Sequence, residues 1–279
     1  MTPEMKLYSI EPRNRLFELF SILNRQNHPE NKAIALREID LSAVEAVRET
    51  LDRTSVRPSY TSFMVKAVAT TLREMPRANR AAIEVPFFKR IYRFKSQDVT
   101  TAVERNDGGD AAVFVYTVRD AASKSLNEID RELKGLSTTE ADSDDPRLER
   151  WRRMRQGIRL APFNWILSFV FWLHKNIPSL HLHNRGGAAL ISSPSKYGVD
   201  CIVADWPYPL GLSFGLIRER PWVAEGRLVV RKTTTITLAF DRRLITGAEA
   251  SRFMNRLCTI LETATFNQDS GSARSGGPE

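Results

Sequence analysis

The sequence is poor in the residues that usually announce chemistry: two cysteines, Cys201 and Cys258, and four histidines in 279 residues. Two thiols cannot build a disulfide framework, and they fit a reducing, cytoplasmic setting. Both read as small core hydrophobes rather than nucleophiles. Long apolar runs are also missing. The richest stretch, Leu160 to Leu173, is broken by Asn164 and Ser168 and is too short to span a bilayer, so no transmembrane segment is expected. The opening residues, MTPEMKLYSIEPRNRLF, contain no apolar core of a secretory signal. Fourteen Gly and fourteen Pro exclude collagen-like and low-complexity classes. There is no glycine-rich phosphate loop, no Gly-x-Ser-x-Gly elbow and no repeat of fixed period. His181 and His183 form a His-x-His pair, but no third ligand stands at a useful spacing, so no metal is expected.

What is present is enough apolar residue, 42%, for a sizeable core, together with a formal charge of +8. Six arginines fall between Arg147 and Arg159 with Trp151 among them, directly after the acidic Glu140, Asp142, Asp144 and Asp145. No helix-turn-helix, zinc-finger or RNP pattern accompanies them, so nucleic acid is not the expected partner. A solvated helix face is the plainer reading of this run; a patch that docks on a membrane or a carrier is the sharper one.

Elements alternate along the chain. Lys32 to Asp40 reads as a strand, and Ser42-x-x-Glu45 as a capping box opening a helix to about Arg53. A second helix is expected from Thr61 to Glu74, stopped by Pro76. Strands follow at Val85 to Phe94 and Val99 to Glu104. Asn106-Asp107-Gly108-Gly109 signals a hairpin into Ala112 to Val118. Asp120 is a candidate cap for a helix carrying Leu126, Ile129 and Leu133. Ser137 to Asp145 reads as a loop, followed by an Arg-rich helical stretch. After Gly186-Gly187 come strands at Ala188 to Ser193, Val199 to Val203, Leu210 to Ile217 and Leu228 to Phe240, then a helix from Ala248 to Thr263. The pattern predicts one α/β domain over 31–265, with a 1–30 extension, an insert at 137–186 and a disordered tail over 266–279.

The segment Thr235 to Leu261, TITLAFDRRLITGAEASRFMNRLCTIL, resembles the C-terminal signature of the 2-oxoacid dehydrogenase acyltransferases, in the chloramphenicol acetyltransferase-like superfamily. That signature is a threonine-rich strand, then Asp-His-Arg-x-x-Asp-Gly-Ala, then a helix. Ser62 to Asn79, Val99 to Leu133, Ala188 to Ser195 and Leu210 to Gly215 resemble further family segments in the same order. The resemblance covers about residues 30 to 265 and implies a mixed sheet sandwich flanked by helices. It also implies a homotrimer with sites between subunits, and a coenzyme A or pantetheine thioester as substrate, on CoA or a carrier protein. No lipoyl domain precedes the block, so a standalone domain without its own lipoyl group is expected, and the 137–186 insert departs from the family pattern.

In that family the motif histidine takes the proton of the attacking thiol or hydroxyl, and a serine on a neighbouring strand stabilises the oxyanion. Here Asp241, Arg243 and Gly247 match the structural positions, but Arg242 stands at the histidine and Thr246 at the second aspartate. A guanidinium has no acceptor and does not lose its proton at neutral pH. Ser192 is the best match for the oxyanion serine, with Ser193 as the register alternative. His181 and His183, read as alternate residues on one strand face, are the fallback bases. Three functions follow: an acyltransferase with a non-standard site, an inactive binding or assembly subunit, or a protein docking on carrier or membrane through the insert.

Overall fold

A computed structural model describes residues 31–52, 57–85, 88–107, 110–138, 164–203 and 206–266. The first strand, β1 (Lys32–Asp40), leads into α1 (Ser42–Asp52) and α2 (Tyr60–Glu74). Next come a hairpin, β2 (Arg80–Val85) with β3 (Phe88–Arg93), and a second, β4 (Val99–Asp107) with β5 (Asp110–Val118). Among the described residues, the helices that follow are α3 (Leu126–Thr138), α4 (Asn164–Asn176) and α5 (Pro178–Arg185). The chain closes with β6 (Ala189–Ser192), β7 (Leu210–Phe214), β8 (Arg218–Ala224), β9 (Arg227–Asp241) and α6 (Gly247–Thr263).

The main sheet runs β1-β9-β7-β6-β4-β5, with β8 added along the first half of β9. β6 is parallel to both neighbours and the other pairings are antiparallel, so the sheet is mixed. Strand periodicity sorts the side chains. Ile191, Leu212 and Leu238 are aligned across three strands and meet Phe63 and Val68 of α2 and Phe253 and Leu257 of α6 in one core. The opposite face carries Leu190, Ser192, Ser213 and Thr237, with Ile34 and Leu36 exposed on the β1 edge. The expected α/β class, a mixed sheet flanked by helices, is what the chain forms.

Several local expectations are corrected. Ser42-x-x-Glu45 is not a capping box: Asp40 accepts from the Ser42 amide, and Glu45 turns inward to Arg48, Tyr60 and Lys232. Asp120 sits in a left-handed turn and does not cap α3; Ser125 and Glu128 bond each other's amides there instead. Val85 to Phe94 is not one strand: Val85 ends β2, which begins at Arg80, and Phe88–Arg93 is its antiparallel partner β3. Val199 to Val203 is not a strand, and β8 occupies Arg218 to Ala224, where none was expected. His181 and His183 lie on helix α5, which begins with Pro178 and ends at Gly186. Gly186 has φ +77, and a Cβ there would meet Thr117 Cγ2 at 2.5 Å, so only glycine makes this exit. The 1–30 extension, the Arg-rich 147–159 run and the tail beyond Phe266 lie outside the described residues.

Candidate functional site: a charged turn and a hydroxyl row

The motif begins where β9 ends. Asp241 is the last residue of the strand, paired with Lys32 of β1, and its amide donates to Pro209 O at 3.0 Å. The chain then turns tightly, with the Leu244 and Ile245 amides both donating to Asp241 O. Asp241 is buried, and Arg243 grips it through Nε to Oδ1 at 3.0 Å and through its Nη2 to Oδ2 at 2.6 Å. Burial works against the charge of Asp241, but the Arg243 guanidinium and amide override it and hold the carboxyl below its ordinary range. Arg80 secures the turn from the β2 side by donating to Leu244 O. Arg242 points its backbone amide at Asn31 O, 2.9 Å away, and its side chain is exposed.

Thr246 is the N-cap of α6. Its Oγ1 accepts from the Glu249 amide at 3.3 Å, while Glu249 Oε2 accepts from the Thr246 amide at 3.1 Å, which completes a capping box. The Asp241–Arg243 clamp and this cap therefore fix the two ends of the turn that holds Arg242.

Ser192 is the last residue of β6 and half-buried. It aligns with Ser213 of β7, which aligns with Thr237 of β9, giving a row of three hydroxyls on the face away from the helices. The Ser213 and Thr237 hydroxyls lie within hydrogen-bonding reach of each other and of Ile202 O, 2.5 and 2.8 Å away, so their two protons are shared among three contacts. The 199–203 coil therefore lies across this face. Its approach is close: a Cβ on Gly215 would stand 1.8 Å from Asp200 O. Ser193 is occupied locally, donating to Phe214 O at 3.0 Å and pairing with Ser195.

Within one protomer, Ser192 and the motif do not meet. Two strand spacings separate β6 from β9, and Thr237 lies four residues before Asp241, which puts Ser192 on the order of 15 Å from the turn.

The histidines are not placed as alternate residues of a strand. On α5, His181 and His183 point to different sides: His181 is 5% exposed and His183 is exposed. The His181 ring stacks on Phe94 with centroids 5.4 Å apart, and its buried Nε2 has no hydrogen-bond partner among the described residues. Burial foremost, with the nearby Arg185 charge, holds its pKa at about 4, so the ring is neutral at pH 7. His181 nevertheless borders the motif. Together with Lys32, Lys175, Arg185, Asp241 and Arg243 it lines an open cleft beside the turn. Arg185 is buried, and its Nη1 reaches Pro207 O at 3.3 Å. Cys258 is buried as anticipated, which pushes its thiol up to about 12, while Cys201 is only half-buried in the 199–203 coil.

The model of the 2-oxoacid dehydrogenases acyltransferase (catalytic domain) family matches residues 20–144 and 184–267. The chain belongs to this family. The match leaves out 145–183, which is most of the expected insert. Among curated relatives, a dihydrolipoyllysine-residue succinyltransferase component of the 2-oxoglutarate dehydrogenase complex from Bartonella vinsonii subsp. berkhoffii is 27% identical over 263 residues. The alignment covers 90% of this chain and 54% of that protein. A dihydrolipoyllysine-residue acetyltransferase component from Zymomonas mobilis is 25% identical, with 77% and 40% covered. The chain thus spans about half, or less, of the length of these relatives. The solved cubic core of a pyruvate dehydrogenase multienzyme complex superposes with a TM-score of 0.64 at 22% identity, covering 93% of this chain and 94% of that one. At that identity the likeness establishes the fold.

Sequence reading missed Lys32, Arg80 and Arg185 as members of the cleft and turn. Each is an isolated cation in the sequence, and only tertiary contact brings it there. Thr237 stands in the threonine-rich β9 and Ser213 in β7, and in the sequence neither differs from an ordinary strand residue.

Proposed function

We propose that this protein binds a coenzyme A or pantetheine thioester, on CoA or a carrier protein, in an acyltransferase scaffold that lacks the proton acceptor of the general-base route. The observation that carries this reading is Arg242: it is exposed, at the middle of a turn held at both ends by Asp241–Arg243 and by Thr246. A guanidinium in that place can pair with an anionic group but cannot accept the nucleophile's proton. Neither fallback base answers the need. His181 Nε2 is sealed from solvent, and His183 faces outward on a helix whose last turn is bound to Arg119.

The same constellation supports assembly. A related core from Azotobacter vinelandii, 20% identical with a TM-score of 0.63 and 92% of each chain covered, has been probed for the catalytic roles of a serine, a histidine and an asparagine. There the histidine and asparagine are four residues apart, as Arg242 and Thr246 are here. Ser192 is the counterpart we assign to the serine, because Ser193 is tied to Phe214 and Ser195. With Ser192 about 15 Å from the turn, a joint site needs Ser192 from one copy and the turn from a neighbour, and we propose a homotrimer. The role is then that of a binding or assembly subunit. Acyl transfer is the competing reading, favoured by the relatives' transferase names, with Arg242 steadying an enolate or carboxylate on a substrate acidic enough to need no base.

One experiment separates them. Titration calorimetry with CoA and acetyl-CoA, beside an assay of acceptor-dependent CoA release across acyl-CoA donors, is expected to give binding without release. Release above the uncatalysed rate by the unmodified protein would overturn the non-catalytic reading. Arg242→His combined with Thr246→Asp is expected to raise release by about 10²–10⁴-fold if the remaining site is competent.

A further inference from the structure

The segment that the family match passes over carries a surface of its own. In α4, Leu167 faces inward, and the helix packs against α5 and β2. Trp165, Phe169 and Trp172 are 69%, 53% and 41% exposed. Their spacing of four and three residues puts them on one side of the helix. The Phe169 and Trp172 rings stack with centroids 5.9 Å apart, so they form one continuous aromatic ridge rather than scattered exposures. Single exposed apolar side chains are ordinary; a ridge of three large aromatics is not.

The sequence that leads into the ridge is cationic. From Pro146 to Ile177 the sequence contains six arginines and Lys175 against one carboxylate, Glu149. Two copies of so cationic a segment repel each other across an interface, whereas an anionic surface complements it. Tryptophan and phenylalanine favour the bilayer interface, where the ring is buried and the indole N–H stays hydrated. α4 has 13 residues, and no helix among the described residues is long and apolar enough to cross a membrane. The helix suits lying on a bilayer.

We propose that α4 is a membrane-surface anchor, with Trp165, Phe169 and Trp172 entering the headgroup region of an anionic bilayer. The binding is carried jointly by apolar burial and by attraction to lipid phosphates, as for interfacial amphipathic helices. This inference stands apart from the thioester reading, since no residue of the turn or hydroxyl row takes part.

The test uses the full chain and sedimentation with phosphatidylcholine vesicles, with and without phosphatidylglycerol. Expected are binding to the anionic vesicles, a blue shift of tryptophan emission, and loss of binding as salt is raised. Replacing Trp165, Phe169 and Trp172 together by Ser is expected to weaken partitioning by about tenfold or more, with the far-ultraviolet circular dichroism unchanged. If that variant does not fold, Phe169→Ser alone, whose residue is more than half exposed, gives a smaller loss in the same assay. No partitioning into anionic vesicles at low salt would overturn the proposal. So would partitioning that survives the substitutions, or self-association through the ridge without vesicle binding.

Discussion

Thr246 opens α6 with the same oxygen-to-amide bond that an aspartate makes at an N-cap, so its hydroxyl carries a structural duty of its own. Thr246→Ala is therefore expected to cost about 1 kcal/mol, read as a lower urea midpoint, whereas Thr246→Asp keeps the midpoint near the parent value. Equal midpoints for all three would mean the cap contributes nothing. Glu45 teaches the converse lesson. Its sequence position looked like a capping glutamate, yet its carboxylate is drawn into a cluster with Lys232, which is 187 residues away in sequence. Local spacing is blind to such a partner. For the same reason the Asp241, Arg242, Arg243 and Thr246 positions were legible from the sequence, as a contiguous motif, while Lys32 and Arg80 were not. Their roles exist only once β1 and β2 are laid beside the turn.

Elements with strong periodicity or decisive turn chemistry were readable in advance. Asp107 pairs with Asp110 where a hairpin is expected at Asn106–Gly109, and β9 and α6 run close to their expected limits. Failures came where short apolar stretches had to choose a state by tertiary contact. Val199 to Val203 is β-branched and strand-like in composition, but Ile202 O accepts from the hydroxyls of Ser213 and Thr237 rather than from a neighbouring strand. That coil is admitted by Gly215. Gly215→Ala would place a methyl against the Asp200 carbonyl and force the two segments apart. The expected result is a loss of about 1–3 kcal/mol from overpacking, with the hydroxyl row uncovered and amide exchange accelerated around residues 199–203. An unchanged exchange pattern would show that the coil is not held by this contact. Pro178 to Arg185 was also read wrongly, since eight residues with alternating histidines carry too little periodic signal to distinguish helix from strand.

At the scale of the whole molecule, His181 and Glu45 contribute to the acid behaviour beside other groups held low, among them His174, Asp130 and Asp241. His181 is held at about 4 against an ordinary 6.5, so the unfolded chain takes up its proton first. Its contribution is full above pH 6.5 and drains as pH falls toward 4. Glu45 is held at about 2, because Lys232, Tyr60 and Arg48 outweigh the desolvation that opposes its charge. Its contribution is full above about pH 4.5 and is lost between there and pH 2. Unfolding midpoints measured against pH should therefore fall in two limbs. His181→Phe, which keeps a ring against Phe94 and removes the orphaned nitrogen, is expected to shrink the upper limb to the share of His174 and leave the lower one. A profile whose upper limb is unchanged by that substitution would place the proton uptake elsewhere.

The burial of α5 has a consequence for how this chain can be altered. Leu182 packs under Ala81, Phe94 and Ala188, and Arg119 grips the carbonyls of Leu182 and His183 while Thr100 and Tyr208 hold that of Arg185. The segment that the family match passes over is thus not a detachable cassette. Excision through α5 would strip the underside of the β2–β3 hairpin and leave β6 without its feed. A shortened variant must keep Pro178 to Gly187 to remain the same protein.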